Sequence, residues 1–105
     1  MTIAASLTSE AALQAAVIEL ARLRGWKVAH FRPSQDSKGR WHTAVQGDPG
    51  SPDLLLARRG DVLLVELKAE KGKVEPEQLA WGEAIGITWK VWRPSDWNLI
   101  QWRLT

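Results

Sequence analysis

The chain has 105 residues, enough for one domain with a modest core and too few for two. With 45% hydrophobic and 25% charged residues it has the balance of an ordinary globular domain, and its lack of cysteine removes disulfides, thiolate zinc sites and cysteine nucleophiles together. The net charge of +2 is small, so the places where the cations fall say more about partners than their sum does.

Residues 1–8 are small and polar without periodicity and read as a loose lead-in. No basic segment followed by an apolar core opens the sequence, and no apolar run has membrane-spanning length, so a cytoplasmic protein with no membrane contact is expected. From residue 9 to residue 24 the pattern becomes helical. Leu13, Ala16, Val17 and Leu20 recur on one face, and Gly25 offers a stop. Glu10 falls in the first turn near that stripe, where it either answers the helix dipole or looks toward a sheet.

Residues 26–31 read as a strand, with Trp26, Val28 and His30 on one side and Lys27, Ala29 and Phe31 on the other. His30 at its end either satisfies a neighbour or contacts phosphate or metal. Residues 32–51, with Pro33, Pro49 and three glycines, predict a long loop whose Arg32, Lys38 and Arg40 are either solvated surface or candidate nucleic-acid contacts. Trp41 within it either anchors the loop or stacks on a base. Gly47, Pro49, Gly50 and Pro52 then bring the chain tightly into Asp53 and present that carboxylate.

Two apolar runs, 54–57 and 62–67, flank a charged turn at Arg58, Arg59, Gly60 and Asp61, which predicts a hairpin. Alternation puts Glu66 and Lys68 on one face and Leu67 on the other. Asp53, at the start of its strand, comes opposite the end of the next, so two carboxylates and an ammonium meet at one sheet edge. Carboxylates taken out of water need a partner or a cation. Hard oxygen ligands suit Mg²⁺ or Mn²⁺, and a solvated Glu–Lys pair is the plainer alternative.

A charged connection with Lys71 and Lys73 follows, both again either solvated surface or candidate nucleic-acid contacts. Pro76 then opens a helix at its first position, with Gln78 and Trp81 on the same side. Gln78 is either an exposed amide or a group that holds water or phosphate at the site. Residues 87–93 alternate as a strand that Pro94 ends. Ser95 is expected to cap a short helix carrying Trp97 and Ile100, and residues 101–105 to form a final strand. Seven tryptophans in so short a chain stiffen a core or supply a dimer contact. The order of elements implies a mixed α/β sheet covered on at least one face.

The ordered set of a helical Glu10, Gly50-Ser51-Pro52-Asp53, Glu66-Leu67-Lys68 and Gln78 with Trp81 resembles the PD-(D/E)xK nuclease superfamily. Within it, the chain is similar to the small stand-alone form of the VRR-NUC family. That resemblance runs from Glu10 to about Ile100. It implies a restriction-endonuclease-like fold, with Glu10, Asp53, Glu66 and the Leu67 carbonyl as metal ligands, Lys68 as the catalytic lysine and Gln78 as a supporting site residue. It further implies Mg²⁺- or Mn²⁺-dependent hydrolysis of DNA phosphodiesters by a homodimer, on branched substrates such as four-way junctions, often in a phage. A binding module without turnover and a dimeric interaction protein are the competing expectations.

Overall fold

The computed structural model describes residues 9–31, 33–35, 41–43 and 47–105. Helix α1 (Glu10–Leu23) begins where the Ser9 side chain accepts the Ala12 N–H at 3.1 Å, satisfying one of the unpaired donors of the first turn. Its buried stripe is Leu13, Val17 and Ala21, at successive i, i+4 steps. The helix ends as the spacing predicts. Gly25 N–H donates to Arg22 O at 3.1 Å and Trp26 N–H to Ala21 O at 2.9 Å, the two reverse bonds that close a helix through a left-handed glycine.

Four strands form the main sheet: β1 (Lys27–His30), β4 (Leu54–Arg58), β5 (Asp61–Leu67) and β6 (Trp89–Trp92), in the order β1-β4-β5-β6. The β1–β4 and β4–β5 pairs are antiparallel. The β5–β6 pair is parallel, and α2 (Pro76–Ile85) makes the crossover that a parallel pair needs. Leu54 and Leu56 of β4, Leu63, Val65 and Leu67 of β5, and Trp92 of β6 point to one face and are buried with the α1 stripe. Ile100 and Leu104 of α3 (Trp97–Leu104) complete this core. Alternation sends Glu66 to the opposite face, where α2 packs on β6 with Gly82 against the Trp89 indole. Among the described residues, no helix is long and apolar enough to cross a membrane.

Three expectations are corrected. Residues 32–51 are not wholly loop, because β2 (Pro33–Gln35) and β3 (Trp41–Thr43) pair antiparallel with Ser34 opposite His42. Strands of three residues, one opening on proline, are too short to show alternation. Residues 101–105 are not a strand: α3 runs on to Leu104, since Trp97, Ile100 and Leu104 recur at helical spacing and bury together. Ser95 does not cap that helix. It lies in a 3₁₀ turn (Pro94–Asp96), where its N–H donates to Glu70 Oε2 at 2.9 Å. Of the tryptophans, Trp26, Trp92 and Trp97 enter the core, whereas Trp102 is 75% exposed.

Candidate active site

Asp53 is held at the mouth of the hairpin from both sides. Its carbonyl accepts the Phe31 N–H at 2.9 Å, extending the β1 ladder, and its Oδ2 accepts the Leu67 N–H at 2.8 Å. Leu54 pairs with Val65, so one step back Asp53 stands opposite Glu66. Like charges facing each other across a strand pair are unfavourable, and nothing in packing alone requires them.

Glu66 is only 2% exposed. Its Oε1 accepts a hydrogen bond from Gln78 Nε2 at 2.8 Å and lies 3.9 Å from Lys68 Nζ, while its buried Oε2 has no partner among the described residues. Burial pushes the Glu66 carboxyl up to about 8, and the neighbouring Asp53 carboxylate pushes the same way. Lys68 opposes this and does not overcome it; the Glu10 charge adds a last, small push upward. A buried acid with one oxygen unsatisfied, facing a second acid, is a site short of positive charge.

Gln78 reaches Glu66 because α2 starts where it does. Pro76 sits in the first turn, and the Glu75 N–H donates to Gln78 Oε1 at 2.8 Å, so the third helical residue reaches back to cap the start. The helix is also clasped to the turn that leads into Asp53. Trp81 Nε1 donates to Pro49 O at 3.0 Å, and Gly50, at φ +89°, lies so close to Glu77 that a Cβ would stand 2.7 Å from its carbonyl carbon. The sequence singled out Gly50 for a tight approach, but its partner on α2 carried no signal.

Lys68 leaves β5 with its N–H on Trp92 O at 3.0 Å and its side chain largely buried. The turn beyond it is organised by Arg93, whose Nη1 donates to Ala69 O at 2.9 Å, Glu70 O at 3.3 Å and Gly72 O at 2.6 Å. Sequence reading missed Arg93. A single arginine before a proline has no pattern to mark it, and only the parallel pairing of β5 with β6 brings it beside that turn.

Asp53, Glu66, Lys68 and Gln78 are therefore brought together, with Leu67 tied in through its amide. Glu10 is exposed in the first turn of α1, the helix packed on the other face of the sheet, and touches Glu66 only through its field. Among the described residues, no three of His, Cys, Asp and Glu stand close enough to hold a metal ion on their own. Lys71 and Lys73 are exposed just beyond Lys68, whereas Arg32, Lys38 and Arg40 lie outside the described residues. His30 ends β1, half-buried and opposite Leu54; Trp41 pairs with Gln35 in the small hairpin. Two facing carboxylates, one with an unpartnered oxygen, suit a small hard cation that keeps water or substrate oxygens in its remaining positions.

No family model, no curated protein and no solved structure matches this chain.

Proposed function

We propose that the protein is a divalent-metal-dependent endodeoxyribonuclease with a restriction-endonuclease-like fold, of the kind its resemblance to the VRR-NUC family implies. The observation that carries the reading is the buried Glu66 with its unpartnered Oε2, opposite Asp53 and 3.9 Å from Lys68 Nζ. Asp53 and Glu66 would hold Mg²⁺ or Mn²⁺. When bound, the cation supplies Lewis-acid polarisation of a phosphoryl oxygen. Lys68 positions the attacking water or offsets charge on the pentacovalent phosphorus. Gln78 fixes the orientation of Glu66, and Lys71 and Lys73 contact flanking phosphates. Branched DNA as substrate, a homodimer that sets two sites against two strands, and action in the cytoplasm of a bacterial or phage-infected cell belong to the same proposal.

The test is cleavage of a labelled four-way junction beside matched linear duplex, with Mg²⁺, Mn²⁺ or EDTA. Metal-dependent cutting of the junction, lost in Asp53→Asn and Lys68→Ala, is the expected result; cutting that survives both substitutions would overturn the assignment. Among the described residues the donor set is two carboxylates, which favours one alternative, a junction-binding module of the same fold without turnover. Retained junction binding with no product across Mg²⁺ and Mn²⁺ titrations would establish it.

A further inference from the structure

We infer that the end of the β4–β5 hairpin remote from Asp53 is a second phosphate-contacting surface, which grips an arm of the nucleic acid through Arg24, Lys27 and Arg59. The inference rests on the nuclease reading of the acidic site and adds a place where the substrate is held away from it.

An open groove of about 320 Å³ lies there, walled by Arg24, Lys27, Arg58 and Arg59, with no acidic residue in its lining. Arg58 is a fixed part of the wall. Its guanidinium stacks on Trp26, 4.5 Å from the ring centroid, and donates to Arg24 O at 2.9 Å, Leu104 O at 3.2 Å and Thr105 O at 3.0 Å. Arg24, Lys27 and Arg59 are exposed, and none forms an ion pair with the described residues. The neighbouring acid, Asp61, is already engaged by both terminal nitrogens of Arg103 at 2.7 Å.

Arg59 itself runs against local preference. It has φ +51° and is followed by Gly60 at φ +81°, the paired left-handed conformation of a two-residue hairpin turn. Asn, Asp and Gly meet that requirement with least steric cost, and arginine does not. A residue that costs backbone energy and projects a cation into a basic groove has a reason in binding that the turn lacks.

The groove also lies in line with the acidic site. Lys27 pairs with Ala57, and Asp53, Leu55 and Ala57 alternate onto the face that carries Glu66. Six strand steps separate Asp53 from Arg59, about 20 Å at the usual rise. One turn of duplex spans about 34 Å, so a single arm touches both ends. Between them that face presents Ala29 and Leu55, which are neutral and do not repel phosphate.

The test measures fluorescence anisotropy of a fluorescein-labelled four-way junction with the full chain in EDTA, comparing wild type, Arg59→Asn and Lys27→Gln/Arg59→Asn. The double variant is expected to bind about tenfold more weakly near 100 mM salt, with the slope of log K against log salt reduced by about 2. Arg59→Asn is expected to melt no lower than wild type, because Asn suits the turn better, so weaker binding cannot be blamed on misfolding. Unchanged affinity and slope in the double variant would overturn the inference, as would equal competition by polyglutamate. A wild type that binds in EDTA with the expected loss in the variants, yet cuts nothing with Mg²⁺ or Mn²⁺, removes the nuclease reading and leaves this surface standing. A wild type that binds no junction removes both.

Discussion

Gln78 holds two things with one amide: its Nε2 donates to Glu66 Oε1 at 2.8 Å, and its Oε1 accepts the Glu75 N–H at 2.8 Å. The start of α2 and the orientation of the buried acid are therefore set together. Gln78→Ala is expected to lose a cap, about 1 kcal/mol, and to leave Glu66 without its neutral donor, a further cost of about 1–3 kcal/mol. Urea unfolding measures the sum. Gln78→Glu separates the two roles, since it keeps the cap acceptor but sets a third acid beside Glu66. Its deficit should be smaller near pH 5, where a protonated carboxyl still donates, than near pH 8.

The raised Glu66 carboxyl gives the protein a distinctive pH dependence. The unfolded chain releases this proton near the ordinary value of 4.5, while the folded chain keeps it until about 8. Between those values the native state binds more protons than the unfolded state, so this group makes stability fall as pH rises through the window. Above about 8 its contribution levels off. Melting in EDTA across that range should show the decline, and Glu66→Gln should flatten it. Equal slopes in wild type and Glu66→Gln would remove the premise that Glu66 is the group short of positive charge.

How much of this was legible beforehand depended on whether the signal was local. The helix from Glu10 to Leu23, the β4–β5 hairpin and the proline-led α2 each announce themselves within a few residues, through periodicity, alternation or a cap. The meeting of Asp53 with Glu66 also followed, because hairpin register is a local matter. The clasp of α2 on Gly50 and the grip of Arg93 on the turn after Lys68 did not. Both join segments more than twenty residues apart, and the contacts are to backbone atoms, which carry no residue-type pattern. The surroundings of Glu10 were not legible for a related reason. Its position on α1 is readable, but which face of the sheet α1 covers is decided by tertiary packing.

Gly50 and Gly60 both have positive φ, at +89° and +81°, yet they should respond differently to alanine. At Gly60 a Cβ meets nothing within 4 Å, so only the backbone preference is lost, about 1 kcal/mol. At Gly50 the same atom would stand 2.7–2.8 Å from Glu77, including its backbone, and α2 must shift to admit it. Overpacking of that kind adds about 1–3 kcal/mol. Denaturant midpoints should therefore rank wild type above Gly60→Ala above Gly50→Ala. On the proposed nuclease reading, the Gly50 variant alone should also lose cleavage beyond its loss of stability, because α2 carries Gln78 and the turn carries Asp53. Equal activity per folded molecule in the two variants would show that the clasp has no bearing on the site.

Arg93 offers the sharpest separation of folding from positioning. One terminal nitrogen gathers the carbonyls of Ala69, Glu70 and Gly72, fixing the turn between Lys68 and Lys73. Arg93→Ala leaves three acceptors turned toward an empty space and should cost about 2–4 kcal/mol. Amide exchange should rise in residues 69–73 before it rises in β5, whose ladders to β4 and β6 remain. A lysine supplies one compact ammonium where the guanidinium supplied a planar fork, so Arg93→Lys should recover only part of the loss. If the turn acts by holding Lys68 in place, millimolar guanidinium added to Arg93→Ala should restore part of the cleavage rate. The same addition should do nothing for Lys68→Ala. Exchange confined to global unfolding, with no rescue of Arg93→Ala, would reduce Arg93 to a stabilising residue and detach it from the chemistry.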